Sequence, residues 1–188
     1  MDIKKAKKEL RAQIKARTCA LSKTEKAQAS SRIFEAVSLL SAYRKAASVM
    51  LYASTPSEVD TAPLMKDVLR RGLTLWLPWC QMEDLGLVPV KVRDLEKDLV
   101  TGSYGIRSPQ EPVNKTIPED FHPSIIFVPG VVFDKKGNRI GRGLGYYDKF
   151  LAGSSPGALK IGLAFDCQVV SSVPTEDFDQ RLDQVISG

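Results

Sequence analysis

Residues 137–148 read Gly-Asn-Arg-Ile-Gly-Arg-Gly-Leu-Gly-Tyr-Tyr-Asp, with four glycines, two arginines and a carboxylate in twelve positions. Glycines let backbone N–H groups approach an anion closely, and a helix that follows turns its positive end toward it. Arg139 and Arg142 add forked donors that match phosphate oxygens. Asp148 stands where it could hold a Mg²⁺ ion on such a phosphate. The chemistry this pattern suits is the binding of a phosphate group. The same composition also fits a tight structural turn, and neither standard nucleotide fingerprint is present. Gly141-x-Gly143-x-Gly145 lacks the third glycine of the dinucleotide motif, and no Gly-Lys-Ser/Thr occurs.

The flanking elements agree with a cradle. The apolar run Ile125-Ile126-Phe127-Val128 predicts a buried strand from Ser124 before the loop, and Tyr146 to Leu151 predicts a helix after it. Upstream, Ile3, Ala6, Leu10 and Ile14 form an apolar stripe on a helix over 2–17, with Lys4, Lys7, Lys8, Arg11 and Lys15 on its other faces. Lys7 and Arg11 lie four apart and point the same way, either as a solvated basic face or as a clamp on phosphate. Ser22-Lys23-Thr24-Glu25 is a capping box opening a helix over 23–40. Ala47–Ala53 reads as a buried strand. Asp60 or Thr61 caps a helix that has Pro63 in its first turn and ends at Gly72. Leu73–Leu77 reads as a strand ended by Pro78, Asp84–Val92 as an antiparallel strand, and 101–123 as a long surface connection. Leu159–Phe165 and Asp183–Ile186 complete the strands. The order and connection lengths predict a mostly parallel α/β sheet, with ligands beyond the carboxyl ends of its strands. Glu58, Trp79 and the glycine loop all fall at such ends. Trp76 and Trp79 are read as core aromatics, and Glu58 as either a capping loop carboxylate or a ligand contact.

The chain has 188 residues, a size that suits one domain, with 43% apolar and 26% charged residues. No apolar run reaches membrane-spanning length and no secretory h-region follows the first lysines. Cys19, Cys80 and Cys167 are far apart with no C-x-x-C, which reads as buried thiols of a reducing, cytoplasmic protein rather than a zinc or disulfide framework. His122, the single histidine, reads as a loop residue, so a Ser/His/Asp hydrolase or multi-histidine metal centre is hard to build. A net charge of +5 favours anionic partners, but the basic residues are dispersed and no nucleic-acid motif is present.

Pro129-Gly130-Val131-Val132-Phe133-Asp134, followed by Arg139-Ile140-Gly141-Arg142-Gly143-Leu144-Gly145-Tyr146-Tyr147-Asp148-Lys149-Phe150-Leu151, closely resembles the signature of the 5-formyltetrahydrofolate cyclo-ligase family. The resemblance implies a single three-layer α/β/α domain with a mostly parallel sheet, NagB/RpiA/CoA-transferase-like. It implies ATP- and Mg²⁺-dependent closure of 5-formyltetrahydrofolate to 5,10-methenyltetrahydrofolate through a phosphorylated formyl group. It further implies ATP contacts from Lys7, Lys8 and Arg11 and from the segment Arg139, Ile140, Gly141, Arg142, Gly143, Leu144, Gly145, Tyr146 and Tyr147. Folate contacts fall to Glu58 with Thr61, and to Arg142, Gly143, Leu144, Gly145 and Tyr146. Arg142 and Tyr146 carry the catalytic roles, and Asp148 and Asp183 the metal. The partners implied are these small molecules alone, with no nucleic acid and no membrane, on a monomer.

The chain departs from the family pattern in three places. Phe178-Asp179 stands where the family often has His-Asp, Arg107-Ser108-Pro109 lacks an acidic residue after the family-like Gly105-Ile106, and Leu144 occupies a variable loop position. Rival readings are a non-catalytic binding module for a phosphorylated ligand or folate, a sugar-phosphate isomerase or acyl-transfer enzyme without ATP, and, last, a nucleic-acid binder.

Overall fold

The computed structural model describes residues 2–81, 85–102, 107–153 and 157–188. Six strands form the central sheet in the order β11 (Gln184–Ser187), β9 (Leu159–Ala164), β6 (Ile125–Val128), β1 (Ser48–Met50), β2 (Thr74–Gln81) and β3 (Gly86–Val92). All neighbours are parallel except the edge pair β2–β3, which is antiparallel.

Burial on both faces explains why these strands read as continuous apolar runs. Side chains alternate along each strand, so Val49, Leu75, Leu77, Ile125 and Phe127 pack with one set of helices. That set is α2 (Lys23–Leu39), α3 (Ser41–Lys45) and α4 (Ala62–Arg70). Met50, Trp76, Ile126 and Val128 face the other way, against α5 (Tyr146–Gly153) and Phe133. Phe133 belongs to a small sheet of β10 (Val169–Val170), β7 (Val132–Asp134) and β8 (Arg139–Ile140). Ile14 of α1 (Ile3–Ala20) closes a third cluster with Val131, Val132, Ile140 and Val173. The result is the mostly parallel α/β sheet that the element order predicted, covered on both faces as the family resemblance implied.

The helix caps follow the sequence. Ser22 and Glu25 form the reciprocal capping box, and Asp60 Oδ1 accepts the Ala62 N–H at the start of α4. Thr61 makes no cap bond of its own; it is buried, and its hydroxyl donates to the Tyr52 carbonyl.

Several expectations need correction. Ile3, the start of the predicted apolar stripe, is exposed, and the buried positions of α1 are Lys7, Ile14 and Thr18. This helix therefore turns part of its basic face inward. Pro78 does not end its strand, because it faces Pro89 across the antiparallel edge and both missing N–H groups fall at one level of the ladder. The predicted connection 101–123 includes a short pair, β4 (Leu99–Thr101) with β5 (Arg107–Pro109). Gly105, Ile106 and Asp84 lie outside the described residues. The cysteines are not buried thiols: Cys19 and Cys80 are exposed and Cys167 is half-buried. Trp76 is a core residue, whereas Trp79 is half-buried and lines a cleft. His122 is an exposed loop residue, as predicted.

The β7–β8 hairpin that presents the glycine loop is fixed by a fully buried carboxylate. Asp134 Oδ1 accepts the N–H groups of Lys136 and Asn138, and Oδ2 accepts the Asn138 side chain and the Val173 N–H. Burial pushes the Asp134 pKa up, but these donors outweigh it and hold the pKa below the ordinary carboxylate value. A depressed pKa stabilises the fold above the unfolded value of about 4, and the contribution is lost as pH falls through the folded value. Asp134→Asn should therefore lower stability at pH 7 by about 1–3 kcal/mol in urea denaturation. The gap between variant and wild type should narrow below about pH 4. A gap independent of pH would contradict this role.

Candidate active site

A cleft of about 780 Å³ opens at the carboxyl ends of β1, β2 and β6. Its floor is the loop 141–145, held from three sides. From below, Arg139 of β8 is buried and its Nη2 donates to Asp148 Oδ1 in the first turn of α5 (2.9 Å). The same Asp148 oxygen accepts the Gln180 N–H (3.1 Å), so the C-terminal segment is tied to the pair. From the side, Arg11 of α1 donates through Nε to the Gly141 carbonyl (2.9 Å). Across the mouth, Arg142 Nη2 reaches Glu58 Oε1 (2.9 Å) and the Thr55 hydroxyl (2.6 Å). Glu58 is itself positioned by accepting the Thr55 N–H at Oε2 (2.9 Å). Gly143 has φ +113°, a conformation closed to L side chains, and this turns the loop back toward α5.

Burial lowers the Arg139 pKa, and the Asp148 carboxylate opposes that shift. Arg139 Nε and the Tyr147 hydroxyl are both buried without a hydrogen-bond partner. Unpaired buried donors cost about 1–3 kcal/mol each, so natural proteins keep them mainly where a ligand satisfies them. Burial, then the nearby Cys80 and Glu58, raise the Tyr147 pKa, which keeps its hydroxyl protonated as a donor. Tyr52 behaves alike, raised by burial and by Glu58.

Most of the predicted site residues meet in this cleft. Lys7, Arg11, Glu58, the whole run 139–147 and Asp148 line it. Three do not. Lys8 is exposed, one helical step of about 100° away from the face that carries Lys4, Lys7 and Arg11. Thr61 is spent on the Tyr52 carbonyl. Asp183 precedes β11 at the amino ends of β9 and β11, where its carboxylate accepts the Lys160 N–H (2.7 Å). The cleft is at the opposite end of these parallel strands. Asp179, four residues earlier, lines the cleft instead, together with Glu176 and Phe178. Both carboxylates bind the buried Lys7 ammonium: Nζ donates to Glu176 Oε2 (2.9 Å) and to Asp179 Oδ2. These partners lie 169 and 172 positions from Lys7 in sequence, so no local pattern announced them. Lys4, Tyr52 and Arg107 are further cleft residues to which the sequence assigned no site role, and Trp79 and Cys80 line the cleft from the strand end where the sequence placed Trp79.

An α/β fold with a glycine loop, flanking cations and acidic residues in one cleft at the carboxyl ends of its strands has the layout of an α/β protein that binds a small molecule there. Comparison with known proteins narrows it. The family model described as "5-formyltetrahydrofolate cyclo-ligase family" matches residues 3–188, and the chain belongs to that family. The mouse 5-formyltetrahydrofolate cyclo-ligase is 30% identical over 191 residues, covering 98% of this chain and 94% of the mouse protein. The Escherichia coli K12 cyclo-ligase is 29% identical over 140 residues, covering 74% of this chain and 76% of that one. The solution structure of Aquifex aeolicus 5,10-methenyltetrahydrofolate synthetase superposes with a TM-score of 0.79 at 33% identity, covering 95% of this chain and 88% of that one.

The loop geometry separates two kinds of substitution. A methyl group on Gly137, at φ +88°, would stand 2.1 Å from the Leu182 carbonyl oxygen, so Gly137→Ala should cost about 3 kcal/mol or more. Arg142 is exposed, and Arg142→Ala should stay within about 1 kcal/mol of wild type. Urea denaturation followed by tryptophan fluorescence distinguishes the two, and equal losses would contradict this picture of the loop.

Proposed function

We propose that this protein closes 5-formyltetrahydrofolate to 5,10-methenyltetrahydrofolate with ATP as co-substrate and Mg²⁺ as metal, releasing ADP and phosphate. The observation that carries the reading is that two kinds of residue line one cleft around the 141–145 loop. Lys7, Arg11 and Arg139 are three cations suited to a triphosphate. Tyr52, Trp79 and Cys80, with Glu58, are an apolar and aromatic set with one carboxylate, suited to a folate ring system.

A formamide is a poor electrophile, and its oxygen is a poor leaving group. Its oxygen attacks the γ-phosphorus and ADP departs; N10 then attacks the activated carbon, the ring closes and phosphate leaves. Phosphoryl transfer asks mainly for positioning and charge neutralisation. Backbone N–H groups of 141–145 and the Arg139 and Arg142 guanidinium groups supply these in this chain. Tyr146, in the first turn of α5, lines the cleft beside the loop and serves to orient the formyl end. Arg142 must share or leave Glu58 when substrate enters, which links folate binding to the position of the loop. No residue acts as a nucleophile.

The donor set fits a magnesium ion. Asp148 and Asp179 offer hard carboxylate oxygens on the cation side of the cleft, and both hydrogen bonds described at Asp148 fall on Oδ1. The Lys7 ammonium already sits on Asp179 and Glu176 as a stand-in cation. Among the described residues no three His, Cys, Asp or Glu side chains form a metal cage of their own, which suits an ion held by one or two carboxylates and by substrate phosphates. Bound there, the metal would neutralise charge on the transferring phosphoryl group. No helix among the described residues is long and apolar enough to cross a membrane.

Mixing the protein with 5-formyltetrahydrofolate and Mg-ATP should raise absorbance at the methenyl-folate band, with no rise when ATP is omitted. A folded protein giving no rise would refute the reading. Arg142→Ala should reduce this rate by about 100-fold or more. Lys8→Ala should leave the KM for ATP unchanged, and a large increase would restore Lys8 to the site.

A further inference from the structure

We propose that Lys7 is a tethered placeholder for the metal: its ammonium holds Asp179 and Glu176 in the unliganded protein and is displaced when a metal–nucleotide complex enters. The displaced ammonium is then free to meet a phosphate oxygen. This rests on the nucleotide and metal reading of the same cleft.

Lys7 is only 7% exposed, yet it sits on the cleft wall rather than in a sealed core. Burial disfavours its charge, and the hydrogen bonds it donates to Asp179 and Glu176, with the attraction of their charges, more than restore it. The Phe178 ring stands 5.4 Å from Nζ and covers the cation from solvent. Asp179 is in turn placed by the Glu176 N–H, which donates to the same Oδ2 that Lys7 holds (2.7 Å). The carboxylates are thus set in position before any ligand arrives.

Charge balance gives the reason for a placeholder. Lys7, Arg11 and Arg139 face Asp148, Glu176 and Asp179 at this corner. Without Lys7, two neighbouring carboxylates would be left uncompensated in a partly dry site, which is costly. With it, and with Lys4 on the same helix face, the corner carries no excess negative charge and has little attraction for a free divalent ion. A metal carried on phosphates brings both the positive charge that Asp179 needs and the negative charge that Lys7 needs, so the exchange conserves pairing. The lysine suits this exchange because its ammonium is a point charge on a flexible stem. Arg139 is different: it is pinned to Asp148, and its unpaired Nε remains as a fixed donor for the arriving anion.

The test is Mn²⁺ binding to the nucleotide-free protein, read by titration calorimetry and by the electron paramagnetic resonance signal of free Mn²⁺. Lys7→Met should bind Mn²⁺ about tenfold or more tightly than wild type, because its carboxylates lack their resident cation. Lys7→Arg should stay as weak as wild type, and Lys7→Met with Asp179→Asn should lose the gain. If Lys7→Met does not fold, Lys7→Gln, which retains a donor, carries the same expectation. Equal Mn²⁺ affinity in wild type and the neutral variant, or a gain that survives Asp179→Asn, would overturn the proposal. Turnover in the methenyl-folate assay is a separate readout. Activity without the Mn²⁺ effect sinks the placeholder alone, and the Mn²⁺ effect without activity sinks the folate reading alone.

Discussion

The buried ion pair between Arg139 and Asp148 is the constraint on which the cleft depends. It joins the last residues of the β7–β8 hairpin to the first turn of α5, and the five-residue loop 141–145 is what must span between them. An arginine side chain 3% exposed is stable as a charge only beside a fixed carboxylate. Its partner therefore determines where the hairpin ends, where α5 begins and how the loop must arch. The Gln180 N–H on the same Asp148 oxygen adds the C-terminal segment to this arrangement. Two neighbouring elements and a segment 32 positions away are thus set around one carboxylate.

From that anchor the site divides by chemistry. The α1 side presents cations, the β1–β2 side presents Glu58 and aromatic surface, and the loop touches both, through the Gly141 carbonyl to Arg11 and through Arg142 to Glu58 and Thr55. The two arginines of the loop do different work. Arg139 is internal and structural, with one donor to spare, whereas Arg142 is exposed and bridges to Glu58 and Thr55 on the far wall. A ligand that takes Arg142 must alter that bridge, so occupancy of one half of the cleft is felt in the other.

The sequence carried the central sheet well, because strands buried on both faces leave apolar runs that survive without any tertiary information. The Ser22 capping box and the helix after the glycine loop were equally local. Elements of two or three residues, such as β5, β7, β8 and β10, were not readable, since no periodicity develops over that length. The apolar stripe of α1 misled because Lys7 is buried by partners more than 160 positions away. The glycine segment was legible as a candidate site because its residue types are unusual in combination, whereas Glu58 stood out only by its place at a strand end and by the family resemblance. Asp183 was misplaced because sequence spacing does not tell which end of a parallel strand a residue occupies. The register of β11 on β9 puts Asp183 at the far end and brings Asp179 to the cleft.

A double-mutant cycle on the anchoring pair tests this account most directly. Arg139→Met, Asp148→Asn and the combination would be compared with wild type by urea denaturation. A coupling energy of about 2 kcal/mol or more is expected, with the double variant more stable than the sum of the single losses implies. Losses that add to within about 0.5 kcal/mol would show that the two side chains act independently. The glycine loop would then owe its position to something other than this pair.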